Sequence, residues 1–126
     1  MNDPPSGDKG RTNAEIRQWY LTRVAQIPEL NEQWLQQGLS LEQRAEATWQ
    51  VRHDARLEAR SMMTDHTEVE LLRARDLAKY GSPDGPTFEF LVEQCSEAGL
   101  QGDEIYQAII AGSYRTDTGV NKTFGF

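Results

Sequence analysis

The sequence predicts an all-α fold, a compact single domain of about five or six helices with an irregular C-terminal tail. Three observations lead there. Capping signatures stand at nearly every boundary between apolar stretches, apolar residues recur at helical spacing, and no stretch shows the strict alternation of a half-buried strand. The β-branched residues are too dispersed to build a sheet. At 126 residues the chain makes one domain, large enough to bury roughly two thirds of the surface its unfolded form exposes. We divide it into a flexible leader or linker over residues 1–11, rich in Pro, Gly and Asp, and a helical domain over 12–126.

The elements follow from local chemistry. Thr12-Asn13-Ala14-Glu15 has capping-box form and opens a helix carrying Ile16, Trp19, Tyr20 and Val24 on one side. Pro28 marks a break. A short segment from Glu29 to Gln37 then sets Leu30 and Trp34 at helical spacing and stops at Gly38. Ser40-Leu41-Glu42-Gln43 is a second capping box, opening a long helix that ends near Met63, where Thr64, Asp65 and Thr67 compete as caps. Asp65-His66-Thr67-Glu68 has the same form and starts a helix whose apolar side is Val69, Leu72 and Leu77, with Ala74 and Tyr80 in support, closed by Gly81. Residues 81–86, GSPDGP, form a tight loop. Thr87 caps a helix with Phe88, Leu91, Val92 and Cys95 on one face as far as Gly99, and a last regular helix carries Ile105, Ile109 and Ile110. In the tail Thr116 offers a cap for a short helix through Val120 to Phe124, while Gly119 and Gly125 favour irregular structure.

The long helix holds the most informative pattern. With Leu41 at 0°, Ala45, Thr48, Ala55, Ala59, Met62 and Met63 fall between roughly −60° and +40°, yet Arg52 falls at about 20° and Arg56 at about 60°. A guanidinium in an apolar stripe needs either an internal carboxylate, which makes it structural, or an anionic substrate, which makes it a site. Arg52 is expected to be the deepest and to serve as an ion-pair partner. His53, Arg56 and Arg60 form the shoulder where chemistry is sought: an imidazole moves a proton near neutral pH, and guanidinium groups hold phosphate and stabilise developing charge. The competing expectation is that Arg56 and Arg60 pair with Asp54 or Glu58 along the helix.

The net charge of −7 argues against broad electrostatic binding of nucleic acid. Any phosphate contact has to be local, and the basic residues Arg44, Arg52, Arg56, Arg60, Arg73 and Arg75 do gather between residues 44 and 75. The single Cys95 makes no internal disulfide, no run approaches the ~18 apolar residues of a membrane span, and residues 1–13 lack the apolar core of a secretory signal. P-loop, GxGxxG, HExxH, CxxC and GxSxG motifs are all missing, which leaves the cofactor unknown. Asp65, Glu68 and Glu70 around His66 read as helix caps and dipole partners, so no metal site is assigned. Tyr114 and Arg115 form a second polar cluster that could complete a cleft; otherwise Arg115 anchors the tail, whose terminal Phe-Gly-Phe docks by its aromatics. Trp19, Trp34 and Trp49 are assigned to the core.

The strings RHDARLEARSMM, DLAKYGSPDGPTFEFLV and YRTDTGVNKTFG resemble segments in the C-terminal toxin tips of Rhs-type and PAAR-linked polymorphic toxins, which bacteria deliver through type VI secretion. The resemblance runs from about Trp19 to the end, and DPPSGDKG resembles a linker after the delivery scaffold. It implies contact-dependent export without a cleaved signal, action in the cytoplasm of a neighbouring bacterium, and a cognate immunity protein, here with a more basic inhibitor covering an acidic toxin. The leading expectation is an antibacterial effector cleaving nucleic-acid phosphodiesters. Arg52, Arg56 and Arg60 would hold phosphate, His53 would transfer the proton, and Tyr114 with Arg115 would complete the cleft. The alternatives are a toxin enzyme acting on a small anionic metabolite or nucleotide, and a non-enzymatic helical module that sequesters a target protein.

Overall fold

The computed structural model describes residues 11–116 and 118–123. The leader up to residue 10, Asp117 and the terminal Phe-Gly-Phe lie outside the described residues, and with them the expected linker and the docking of the tail aromatics. Among the described residues six helices run in order: α1 (Asn13–Val24), α2 (Ile27–Gln36), α3 (Leu41–Ser61), α4 (His66–Tyr80), α5 (Phe88–Glu97) and α6 (Asp103–Ala111). Two short strands come after them, β1 (Ser113–Arg115) and β2 (Asn121–Thr123), paired antiparallel with Tyr114 opposite Lys122. The all-α expectation holds for the body of the domain. In the tail the hairpin replaces the short helix offered to Thr116, because Thr116 turns the chain instead. Its hydroxyl accepts from the Val120 amide, its carbonyl accepts from the Gly119 amide, and Gly119 takes a positive φ.

The capping chemistry performs as the sequence implies. Thr12 and Glu15 exchange reciprocal bonds of 3.1 and 2.8 Å at the start of α1, and Ser40 and Gln43 do the same for α3. Two details differ. Pro28 does not break the chain before α2 but sits in its first turn, where the missing amide donor is harmless. Asp65 caps α4 by accepting from Thr67 and Glu68, yet the Glu68 carboxylate is drawn away to Asn13 Nδ2 on α1, at 3.0 Å.

Helix α3 is the axis against which α1, α2 and α6 pack, with α5 laid against α6. On one side Ala45 meets Leu91, Cys95, Ile105, Ala108, Ile109 and Tyr114 from α5, α6 and β1. On the other, Ala55 and Ala59 meet Ile16 and Tyr20 from α1, with Trp19, Val24, Met62 and Met63 at the margin. Small residues on α3 let its neighbours approach closely, so two modest apolar clusters form around one helix. Trp19 and Trp49 pack against these clusters but, like Trp34, stay half-buried, so they wall the core rather than fill it. The expected apolar side of α4 is buried only in part: Val69, Leu72 and Tyr80 are half-buried, while Ala74 and Leu77 are exposed. Leu77 is 55% exposed and Leu71 66%, while the buried residue of α4 is Asp76, at 1%. It turns inward because it meets Arg60.

Candidate functional site

Arg52, Arg56 and Arg60 recur every fourth residue of α3 and therefore form one row along the helix. Their guanidinium groups reach two backbone segments, the end of α6 and the loop at residues 83 and 84. Arg52 donates to the carbonyls of Ile109 and Ile110 at 2.7 and 3.0 Å, taking up acceptors at the C-terminal end of α6. Arg56 donates to the Asp84 carbonyl at 3.3 Å. Arg60 donates to the Pro83 carbonyl at 3.1 Å and forms an ion pair with Asp76 at 2.6 Å. A second cation closes on the same carboxylate, since Arg75 binds its other oxygen at 2.9 Å.

Glycines make this approach possible. A Cβ added at Gly112 would lie 2.6 Å from Arg52 Nη2, and one added at Gly85 would collide with Arg56 Nη1. Both glycines hold positive φ, so the turn geometry and the clearance are satisfied by one residue type. The 82–86 loop is held from further sides by Arg73, paired to the Asp84 carboxylate at 2.7 Å, and by the Trp49 indole, which donates to the Pro86 carbonyl at 2.9 Å. The arginine row thus acts as a clamp that fixes α6, the loop and α4 to α3.

These positions revise several expectations. Arg52 is not the deepest of the row, for Arg56 and Arg60 are 3% and 6% exposed while Arg52 stays half-buried. Nor is Arg52 in an ion pair among the described residues; neutral carbonyls receive it. Arg60 pairs with Asp76 on α4 rather than with Glu58 on its own helix, because its guanidinium points inward. His53 is half-buried and stacks on Trp49, with ring centroids 4.8 Å apart. Burial, with the Arg56 charge next, lowers its pKa, and its Nδ1 has no hydrogen-bond partner among the described residues. Tyr114 is buried in the α5–α6 core beside Cys95, where burial raises its pKa. Arg115 is exposed on β1 and its guanidinium lies over Gly119. Tyr114 and Arg115 line a recess beside Glu104, on the α5–α6 side of the molecule, and His53, Arg56 and Arg60 are not part of that lining.

The arginine row does reach a cavity, at the Arg52 end. A space of about 620 Å³ opens between α1, α3, α4 and the end of α6. Arg17, Arg52 and Arg75 bring three guanidinium groups to its lining, Ile16, Leu21, Val24 and Leu72 supply apolar wall, and Glu68 is its carboxylate. Tyr20 lies on the inner wall, where burial raises its pKa against the opposing pull of Arg56, Arg52 and Arg60. Such a lining suits an amphipathic anion: guanidinium groups for phosphate or carboxylate, two of them already positioned by the α6 carbonyls and by Asp76, and an apolar wall for a ring or chain.

Arg17 and Tyr20 escaped the sequence search as site residues for a clear reason. Tyr20 sits at the spacing of core residues, and Arg17 is one surface cation among many; only the packing of α1 beside α3 and α4 brings them to Arg52. Asp76 likewise gives no local signal, because its partner lies on another helix. Among the described residues no three His, Cys, Asp or Glu side chains converge as metal ligands would, and no helix is long and apolar enough to cross a membrane. Comparison with known proteins finds no matching family model, no similar curated protein and no similar solved structure.

Proposed function

We propose that this chain is an antibacterial effector toxin domain, delivered by contact-dependent secretion and neutralised by a cognate immunity protein. On this reading it acts in the target-cell cytoplasm on a small anionic metabolite of nucleotide size. The toxin assignment rests on the resemblance of its three strings to polymorphic toxin tips. The choice of substrate rests on one observation: the cavity at which Arg17, Arg52 and Arg75 meet an apolar wall beside Tyr20. Arg17 and Arg75 hold the anionic group, Arg52 and Tyr20 line the inner end, and the α1 side chains receive the apolar part. Glu68, whose carboxylate accepts from Asn13 Nδ2 at 3.0 Å, lines the same cavity and is the group this reading assigns to proton transfer. The excess of negative charge over the chain fits a small substrate better than a polyanion.

Cleavage of nucleic-acid phosphodiesters is the second reading. It is favoured by His53, whose lowered pKa keeps the imidazole neutral and whose Nδ1 lacks a partner among the described residues. It has to find phosphate ligands other than Arg56 and Arg60, which are buried in the clamp.

Expression in a bacterium, followed by measurement of nucleotide pools and of DNA and RNA integrity, separates the two. The cavity reading expects depleted pools with intact nucleic acid, and loss of toxicity in folded Arg17→Ala and Glu68→Gln variants. Degraded DNA or RNA, abolished by His53→Ala and indifferent to Arg17→Ala, would establish the nuclease instead. Toxicity untouched by all three substitutions would point to a non-enzymatic binding module.

A further inference from the structure

Away from the α1–α4 cavity, the molecule carries a groove of contrasting chemistry. A space of about 850 Å³ runs along α5, bounded by the end of α4, the start of α3 and Tyr106 on α6. Its lining includes Glu42, Glu89, Glu93 and Glu97, and no Lys or Arg among the described residues. Its floor is aromatic: Phe88, Phe90 and Tyr106 are half-buried, and Tyr80 meets Phe90 edge-on at 5.4 Å.

The acidic side chains are arranged against their own helix. Glu89, Glu93 and Glu97 succeed one another at intervals of four, which sets like charges side by side on one face of α5. Glu89 suits the helix N-terminus, but Glu97 stands in the last turn, where the dipole favours cations and α5 carries no basic residue. None of the four glutamates is in an ion pair among the described residues. Glu42 accepts from the Tyr106 hydroxyl. The rings accept cations, as Lys79 demonstrates by lying 5.3 Å from the Tyr80 centroid.

We propose that this groove docks a Lys- or Arg-bearing segment of a protein partner, with the aliphatic stems laid on Phe88, Phe90 and Tyr106 and the cationic ends reaching the glutamates. Charge complementarity selects the occupant: four carboxylates outside any ion pair, above aromatic rings, attract long cationic side chains, which have an apolar stem and a charged tip. An acidic or neutral apolar segment is repelled or leaves the carboxylates unanswered. A purely charged small polycation fills the charge but not the rings.

The test titrates the whole chain, labelled for amide NMR, with a short Lys/Leu peptide, its Glu/Leu counterpart and spermidine. The expected result is saturable binding of the Lys/Leu peptide alone, with shifts confined to α5, Tyr106 and the start of α3. Binding should weaken as salt rises, and about tenfold in a Glu93→Gln/Glu97→Gln variant, whose surface changes do not threaten the fold. A Phe90→Leu variant, which keeps apolar bulk but removes the ring, should weaken it further. Shifts scattered over the acidic surface and indifferent to the glutamine variant would overturn the proposal. So would absence of binding, or equal binding by spermidine.

Discussion

Helices α4 and α6 are both tied to the arginine-bearing α3, but by opposite means. Helix α6 buries Ile105, Ala108 and Ile109 in an apolar cluster and receives Arg52 at its C-terminal carbonyls. Helix α4 buries a carboxylate, Asp76, and leaves Leu71 and Leu77 in solvent. A buried apolar side chain contributes about 1.5–3 kcal/mol. A buried ion pair fixes geometry while its desolvation cancels much of its attraction. Helix α4 is therefore held in a specific place without being strongly stabilised there. The cavity beside it keeps Leu72 on its wall, while Leu71 and Leu77 face solvent.

The comparison breaks most visibly at Asp76. Asp76→Ala leaves Arg60 buried beside an empty space and should cost about 3–5 kcal/mol by urea denaturation. A paired Arg60→Met/Asp76→Leu replacement should recover most of that loss, since it removes the uncompensated charge. On the α6 side, Ile109→Ala opens a cavity in the core and should cost about 3 kcal/mol, with no polar replacement able to rescue it. Gly112→Ala sharpens the role of Arg52. Strain at a φ of 81° combines with a contact at 2.6 Å to the guanidinium, so a loss of about 2 kcal/mol is expected in thermal unfolding. Gly38→Ala has a similar φ and nothing within 4 Å of the added carbon, so it should cost visibly less.

The smallest effect concerns pH. Burial and Arg56 hold His53 below its ordinary value of 6.5, so the unfolded chain takes up the proton first as pH falls. The stability that neutral His53 contributes is present above 6.5 and declines as pH drops below it. The fall in unfolding free energy from neutral to mildly acidic pH should accordingly be shallower in His53→Gln than in the parent chain.

Helix positions were legible because caps and periodicity are local: Thr12, Ser40, Asp65 and Thr87 each accept the amide bonds their residue types imply. The arginine row was legible as an anomaly, but its partners were not. Backbone carbonyls at positions 83, 84, 109 and 110 carry no side-chain signature, and Asp76 looks like any helix carboxylate until α4 is packed against α3. The hairpin escaped for a similar reason, since strands of three residues are too short to show alternation. The cavity was hidden because Arg17 on α1 and Arg75 on α4 each read as ordinary surface charge on their own helix, and only packing brings them to Arg52.

Native-state amide hydrogen exchange tests the contrast between the two helices most directly. Amides in the middle of α4 should exchange through a partial opening of lower free energy than those of α6, and Asp76→Ala should lower the α4 value while α6 tracks only the change in global stability. Equal protection in the two helices, moving together when Asp76 is replaced, would contradict the account.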